Sequence, residues 1–177
     1  MPDQMSTQPR YTRLDAAQFE ALVRAYETSL AGRRAGVGVS TRFLLARGMV
    51  CEGRTLAEAN FTGSDLSGSS FANSDLRRAS FYCCNLSKCN FRGARMDRSD
   101  LRGCKFSGAD LQGAVLDDAD LRAAVLCASD EVHGLRLMAS GPGGGGRLDH
   151  SALGNPQNFA VDFSNCSLRG VRMQNAN

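Results

Sequence analysis

Ala59-Asn60-Phe61-Thr62-Gly63-Ser64-Asp65-Leu66-Ser67-Gly68-Ser69-Ser70-Phe71-Ala72-Asn73-Ser74-Asp75-Leu76 carries a large apolar residue at every fifth position. The register runs through Phe61, Leu66, Phe71, Leu76, Phe81, Leu86, Phe91, Met96, Leu101, Phe106, Leu111, Leu116, Leu121 and Leu126, fourteen units without a slip. Two residues before each centre stands a small one, from Ala59, Ser64, Ser69 and Ser74 through Cys84, Cys89, Ser99 and Cys104 to Ala119 and Ala124. Asp or Asn is favoured between them, and all six glycines of the stretch (Gly63, Gly68, Gly93, Gly103, Gly108, Gly113) take the last position of the unit.

A period of five fits neither a helix at 3.6 nor a flat strand at 2. It fits a chain that turns a corner every five residues. Two positions per unit then face inward, one large and one small, and the glycine slot marks a corner that needs a permissive backbone. Four corners close a square, so one coil takes 20 residues and successive coils stack at about 4.8 Å. The fourteen centres are the expected core, and they leave no channel.

The units resemble the pentapeptide-repeat family, whose pattern is small, Asp/Asn, Leu/Phe and two variable positions. Ala59-Asn60-Phe61-Thr62-Gly63 and Ala109-Asp110-Leu111-Gln112-Gly113 match it fully. The resemblance covers 59–128 without a gap. It implies a mainly β fold, a right-handed quadrilateral β-helix.

The register extends backwards to Leu56 and Cys51, where Arg54 and Met49 are poor small residues, so the first coil is expected to be irregular. Forwards, the phase breaks after Leu126 and returns, shifted, at Leu148, Leu153, Phe163, Leu168 and Met173. The Gly-rich run Gly141 to Gly146 marks an excursion between. The organisation read from the sequence is therefore a flexible start over 1–14, a helical cap and linker over 15–50, repeats over 51–128, an irregular insertion over 129–147, and less regular repeats over 148–177.

A coil stack exposes its core at both ends and needs caps. Asp15 can cap a helix with Gln18 as its capping-box partner. Phe19, Leu22, Val23, Tyr26 and Leu30 then share one face, which predicts a helix over 15–31 lying on the first coil, with a second short helix around Arg42–Arg47. Ala176-Asn177 starts a unit without its centre, so the far end is read as pairing with a second copy or continuing into further repeats.

The 177 residues are 42% apolar with formal net charge +3, and the charge is spread thinly: seven arginines against five acids over 1–53, ten basic residues against nine acids over 54–128, four against four beyond. That balance disfavours both a nucleic-acid-binding domain and an acidic DNA mimic. Neither a membrane span nor a signal-peptide core is present, and the seven cysteines are not spaced as a framework, so a cytoplasmic protein with reduced thiols is expected. The run Lys88, Arg92, Arg95, Arg98, Arg102, Lys105 wraps around all four sides of one coil, a belt unsuited to following a phosphate backbone.

On the face centred on Leu56, Leu76, Met96 and Leu116, the register predicts ion pairs Glu58–Arg78, Arg77–Asp97 and Arg98–Asp118. On the next face Tyr82, Arg102 and Arg122 form one column, with Asp100 and Asp120 placed to offset the stacked arginines. This column is the candidate partner-binding patch. Cys84, Cys89, Cys104 and Cys166 occupy small inward positions, which argues against a metal site; a Cys84–Cys104 disulfide would be strained, and Cys83 points outward. Asp149-His150-Ser151 is contiguous and so no triad, and the Gly-rich run lacks the Lys-Ser/Thr of a phosphate loop. The reading is a non-catalytic protein-binding or scaffolding module without cofactor, its partner an unidentified protein. The alternatives are a DNA-mimicking modulator of DNA gyrase, which some members of the resembled family are, and a structural segment of a longer repeat protein.

Overall fold

The computed structural model describes residues 10–31, 41–126, 137–138, 147–148, 161–163 and 165–176. Two-residue strands and one helix follow in chain order: β1 (Thr12–Arg13), α1 (Ala16–Ala31), β2 (Leu44–Leu45), β3 (Ala109–Asp110), β4 (Leu137–Met138), β5 (Arg147–Leu148) and β6 (Val161–Asp162). The strands are short because each five-residue side gives two residues to a turn. Between them runs an unbroken series of parallel bridges twenty residues apart, from Leu45↔Asp65 through Ser80↔Asp100 to Lys105↔Val125. The result is a repeat β solenoid with four turns per coil.

From Cys51 to Ala124 the corners are type II turns. Ser64 N donates to the Phe61 carbonyl (3.0 Å), and the residue before it, Gly63, has φ +71°. A positive φ recurs at every fifth residue from Phe43 to Ala123, and resumes at Asn165, Gly170 and Asn175. Type II geometry requires it at the third turn position. Glycine is needed in earnest where a neighbour lies over the corner: a Cβ on Gly63 would meet the Phe43 ring at 2.6 Å.

All fourteen predicted centres are buried, none more than 3% exposed. Phenylalanines stack coil on coil, Phe61 on Phe81 (5.2 Å) and Phe71 on Phe91 (5.3 Å), with edge contacts across the lumen. The small position has its own logic. Cys84, Cys104 and Cys166 each donate through Sγ to the centre carbonyl one coil back, those of Phe61 (2.9 Å), Phe81 (2.8 Å) and Leu111 (2.7 Å), and Ser64 Oγ does the same to Thr41 (3.3 Å). A side chain short enough to reach the turn carbonyl satisfies it without leaving the core. Cys84 and Cys104 are thiols, not a disulfide.

At the N-terminal end the size pattern inverts. Thr41, Ala46 and Cys51 stand at centre positions, while Leu44, Met49 and Arg54 stand where small residues stand elsewhere. The small centres leave room for Phe19, Val23 and Tyr26 of α1, all buried in the same cluster. Helix α1 opens with the reciprocal capping box, Gln18 N to Asp15 Oδ1 (2.8 Å) and Asp15 N to Gln18 Oε1 (3.0 Å). It is fastened to the coil by Tyr26 Oη donating to the Ala57 carbonyl (2.8 Å), Arg54 bonding Glu20 and Glu27, and Thr55 N donating to Glu27 (3.0 Å). β1 adds a parallel partner to β2 on the outer edge. The short helix expected around Arg42–Arg47 is not formed. Those residues are the first wall of the solenoid, because Leu44 and Leu45 are drawn into the bridge to β1 and Asp65.

The far end carries a correction to register. Ala109↔Val161, Val115↔Ser167 and Asp120↔Arg172 step by 52 residues, so 32 residues are inserted and Val161 takes the place a residue 129 would hold. Phe163, Leu168 and Met173 are centres again, as the sequence reading had them. Leu148 is not: β5 pairs antiparallel with β4, Leu148 opposite Leu137. Leu153, Cys127, His133 and His150 lie outside the described residues.

Candidate functional site: an arginine and tyrosine column

The face centred on Phe61, Phe81, Leu101 and Leu121 presents Thr62, Tyr82, Arg102, Arg122 and Gln174 in one outward column, and Asn60, Ser80, Asp100, Asp120 and Arg172 in the neighbouring one. The register brings Tyr82, Arg102 and Arg122 together. The Arg102 guanidinium lies over the Tyr82 ring, 5.1 Å from its centroid. Tyr82 is 43% exposed, one of three large exposed apolar side chains among the described residues.

The arginines are held by their own turns. In Asp100-Leu101-Arg102, Asp100 Oδ1 accepts from Arg102 N (3.2 Å) and Nε (2.8 Å), while Oδ2 accepts from Nη2 (2.8 Å). Asp120-Leu121-Arg122 repeats this clasp, as does Asp75-Leu76-Arg77 on the neighbouring face. Asp120 lies only 7% exposed. The Arg122 hydrogen bond holds its carboxyl below the usual range against the opposing effect of burial. Bonding to Asp100 raises Arg102 further above its ordinary value. The sequence reading missed Arg172, whose Nη2 stands 3.6 Å from Asp120 Oδ2. The insertion hides its place in the column from any count by fives.

On the preceding face, Arg78–Glu58 (3.4 Å) and Arg98–Asp118 (3.5 Å) form as expected. Arg77–Asp97 does not: Arg77 folds back onto Asp75 (2.6 Å), two residues away with its backbone already bonded there, and Asp97 faces Arg95 at 3.9 Å. A shallow groove of about 550 Å³ runs over this face between Glu58, Arg78, Arg98 and Asp118. A second, of about 400 Å³, lies along the corner carrying Cys83, beside Tyr11 and Lys105. Among the described residues, no His, Cys, Asp or Glu group is placed to hold a metal ion, and no helix is long and apolar enough to cross a membrane. The basic run does form a belt, since Arg92, Arg95, Arg102 and Lys105 bridge or flank bridges on four different sides.

The Pentapeptide repeats family model matches eight copies over residues 56–93 and 94–130. Residues 56–130 are pentapeptide repeats. Several of the solved structures similar to this chain are pentapeptide repeat proteins. One from the Arabidopsis thaliana thylakoid lumen is 21% identical over 74% of this chain and 64% of its own, TM-score 0.28, so the chain spans less than two thirds of that protein. The alr5209 protein from Nostoc Pcc 7120 is 20% identical over 95% of this chain and 100% of its own, TM-score 0.39. Full-length QnrB1, a plasmid-mediated fluoroquinolone resistance protein, is 13% identical over 79% of each chain, TM-score 0.25. No curated protein sequence matches the chain.

Proposed function

We propose that this pentapeptide-repeat chain is a non-catalytic protein-binding module of the cytoplasm, a right-handed quadrilateral β-helix that receives a protein partner on the face of Tyr82, Arg102 and Arg122. The observation that carries the reading is the packing of Arg102 over Tyr82 with its guanidinium fixed by Asp100. An exposed aromatic beside an ordered arginine is the composition of an interface hot spot, and the ordering entropy of the arginine is spent before a partner arrives. The interior, filled by a continuous cluster of buried apolar side chains, supports the non-catalytic reading. The gyrase-directed alternative calls for a dominantly acidic face, whereas the described coils alternate acids with arginines.

The test is affinity capture from host lysate, read by mass spectrometry, with wild type beside a Tyr82→Ala/Arg102→Ala variant. A partner captured by the wild type and lost in a variant that melts like wild type supports the reading. A partner retained unchanged by the variant removes the patch.

A further inference from the structure

Asp120 gathers three arginines. Its side chain is 9% exposed, and its Oδ2 stands 2.7 Å from Arg122 Nη2, 3.6 Å from Arg172 Nη2 and 4.0 Å from Arg102 Nε. Three cations against the carboxylates of Asp100 and Asp120 leave this part of the face positive. Arg98 and Asp118, along the adjoining corner, pair with each other.

The donors are unevenly used. A guanidinium carries five N–H groups in a planar fork. Arg102 and Arg122 each commit Nε and Nη2 to an aspartate of their own turn, and neither Nη1 makes a hydrogen bond among the described residues. Two such groups, one coil apart at about 4.8 Å, stand within reach of the two oxygens of one carboxylate or of adjacent carboxylates. The aspartates hold both forks rigid, so binding an anion costs little further side-chain entropy. The positive zone covers only about three coils, roughly 10 Å along the rod. That is too short to neutralise a run of phosphates, while Tyr82 beside it offers an apolar body to a protein side chain.

We infer that Arg102, Arg122 and Arg172 form a carboxylate clamp for an acidic segment of a protein partner, with Tyr82 packing against that segment's flank. The clamp rests on the reading of this face as the partner surface and adds the partner's chemistry. The probe is fluorescein-labelled octaglutamate, followed by anisotropy at low salt. Saturable binding is expected, weakened about tenfold by Arg102→Gln/Arg122→Gln and several-fold by Arg172→Gln, and unchanged by Arg92→Gln on another face. Arg122→Lys, which keeps the charge without the fork, is expected to fall between, and thermal melts check that each variant is folded. Absence of saturable binding overturns the clamp, as does equal loss from Arg92→Gln. A single-stranded oligonucleotide of equal charge that binds more tightly through the same arginines overturns the assignment to a protein. If lysate capture through Tyr82 succeeds while octaglutamate fails to bind, the clamp falls and the binding-module reading stands.

Discussion

Ser99 and Cys83 show how one position in the unit decides a residue's chemistry. Ser99 holds the small inward position, 1% exposed, and its Oγ has no hydrogen-bond partner. One coil before and after, the same position is Ala79 and Ala119. Ser99→Ala removes an unsatisfied buried hydroxyl from a slot already shaped for alanine. It is expected to raise stability by about 1 kcal/mol, read as a higher denaturation midpoint. Cys83 sits at a corner and is exposed, whereas Cys51, Cys84, Cys89 and Cys104 are buried. Burial pushes the Cys51, Cys84 and Cys89 thiols up to about 12 and Cys104 well above its ordinary value, so little thiolate exists there at neutral pH. In a Cys127→Ala background, maleimide at pH 7.5 is expected to label Cys83 far faster than those four, checked by peptide mass mapping. Equal labelling of Cys84 in the folded protein would contradict the register. This contrast was legible in the sequence, because inward and outward positions differ by a single step of the count. The partner of Arg77 was not. Counting by twenties placed it over Asp97, but a carboxylate two residues away in the same turn needs no reach across coils.

At the scale of the element, helix α1 depends on a few polar fastenings as well as its apolar face. The Arg54 guanidinium, helped by Arg24, holds the Glu20 carboxyl below its ordinary 4.5. A lowered folded value means the contribution is complete above the unfolded pKa and is lost as pH falls through the folded one. The cap is therefore expected to loosen in acid below about pH 4, seen as hydrogen exchange rising over 16–31 while the coils stay protected. Arg54→Ala should loosen it already at neutral pH and flatten that acid dependence. An unchanged exchange profile in Arg54→Ala would show that the apolar face alone holds the helix. The sequence revealed α1 because capping box and stripe are local signals. It carried the register back only to Cys51, since Thr41 and Ala46 look wrong as centres until Phe19 and Val23 are seen packed in the same cluster. Leu148 misled for a different reason: it lies fifteen residues before the true centre Phe163, so it counts in phase while its backbone pairs elsewhere.

For the whole molecule, the coils stand or fall together. Leu101 is fully buried mid-stack, and Leu101→Ala is expected to cost about 2–5 kcal/mol. Leu101→Asp is expected to abolish cooperative unfolding, since it buries an unpaired charge; a cooperative melt from that variant would refute the packing. The bridges Ala109↔Val161 and Asp120↔Arg172 give a sharper test. Deleting 129–160 joins 128 to 161 and restores the twenty-residue step. The shortened chain is expected to fold and to melt within about 5 °C of the parent. Loss of cooperative melting would mean that the inserted segment is needed to close the last coil. The same arithmetic makes the rod a ruler with a dial. Removing five residues from the middle keeps large centres over large centres and small residues over small ones, but turns all later side chains a quarter revolution about the axis. Removing twenty slides them one pitch without turning. Distance and bearing between any two surface groups are thus editable separately, by the length of a deletion alone.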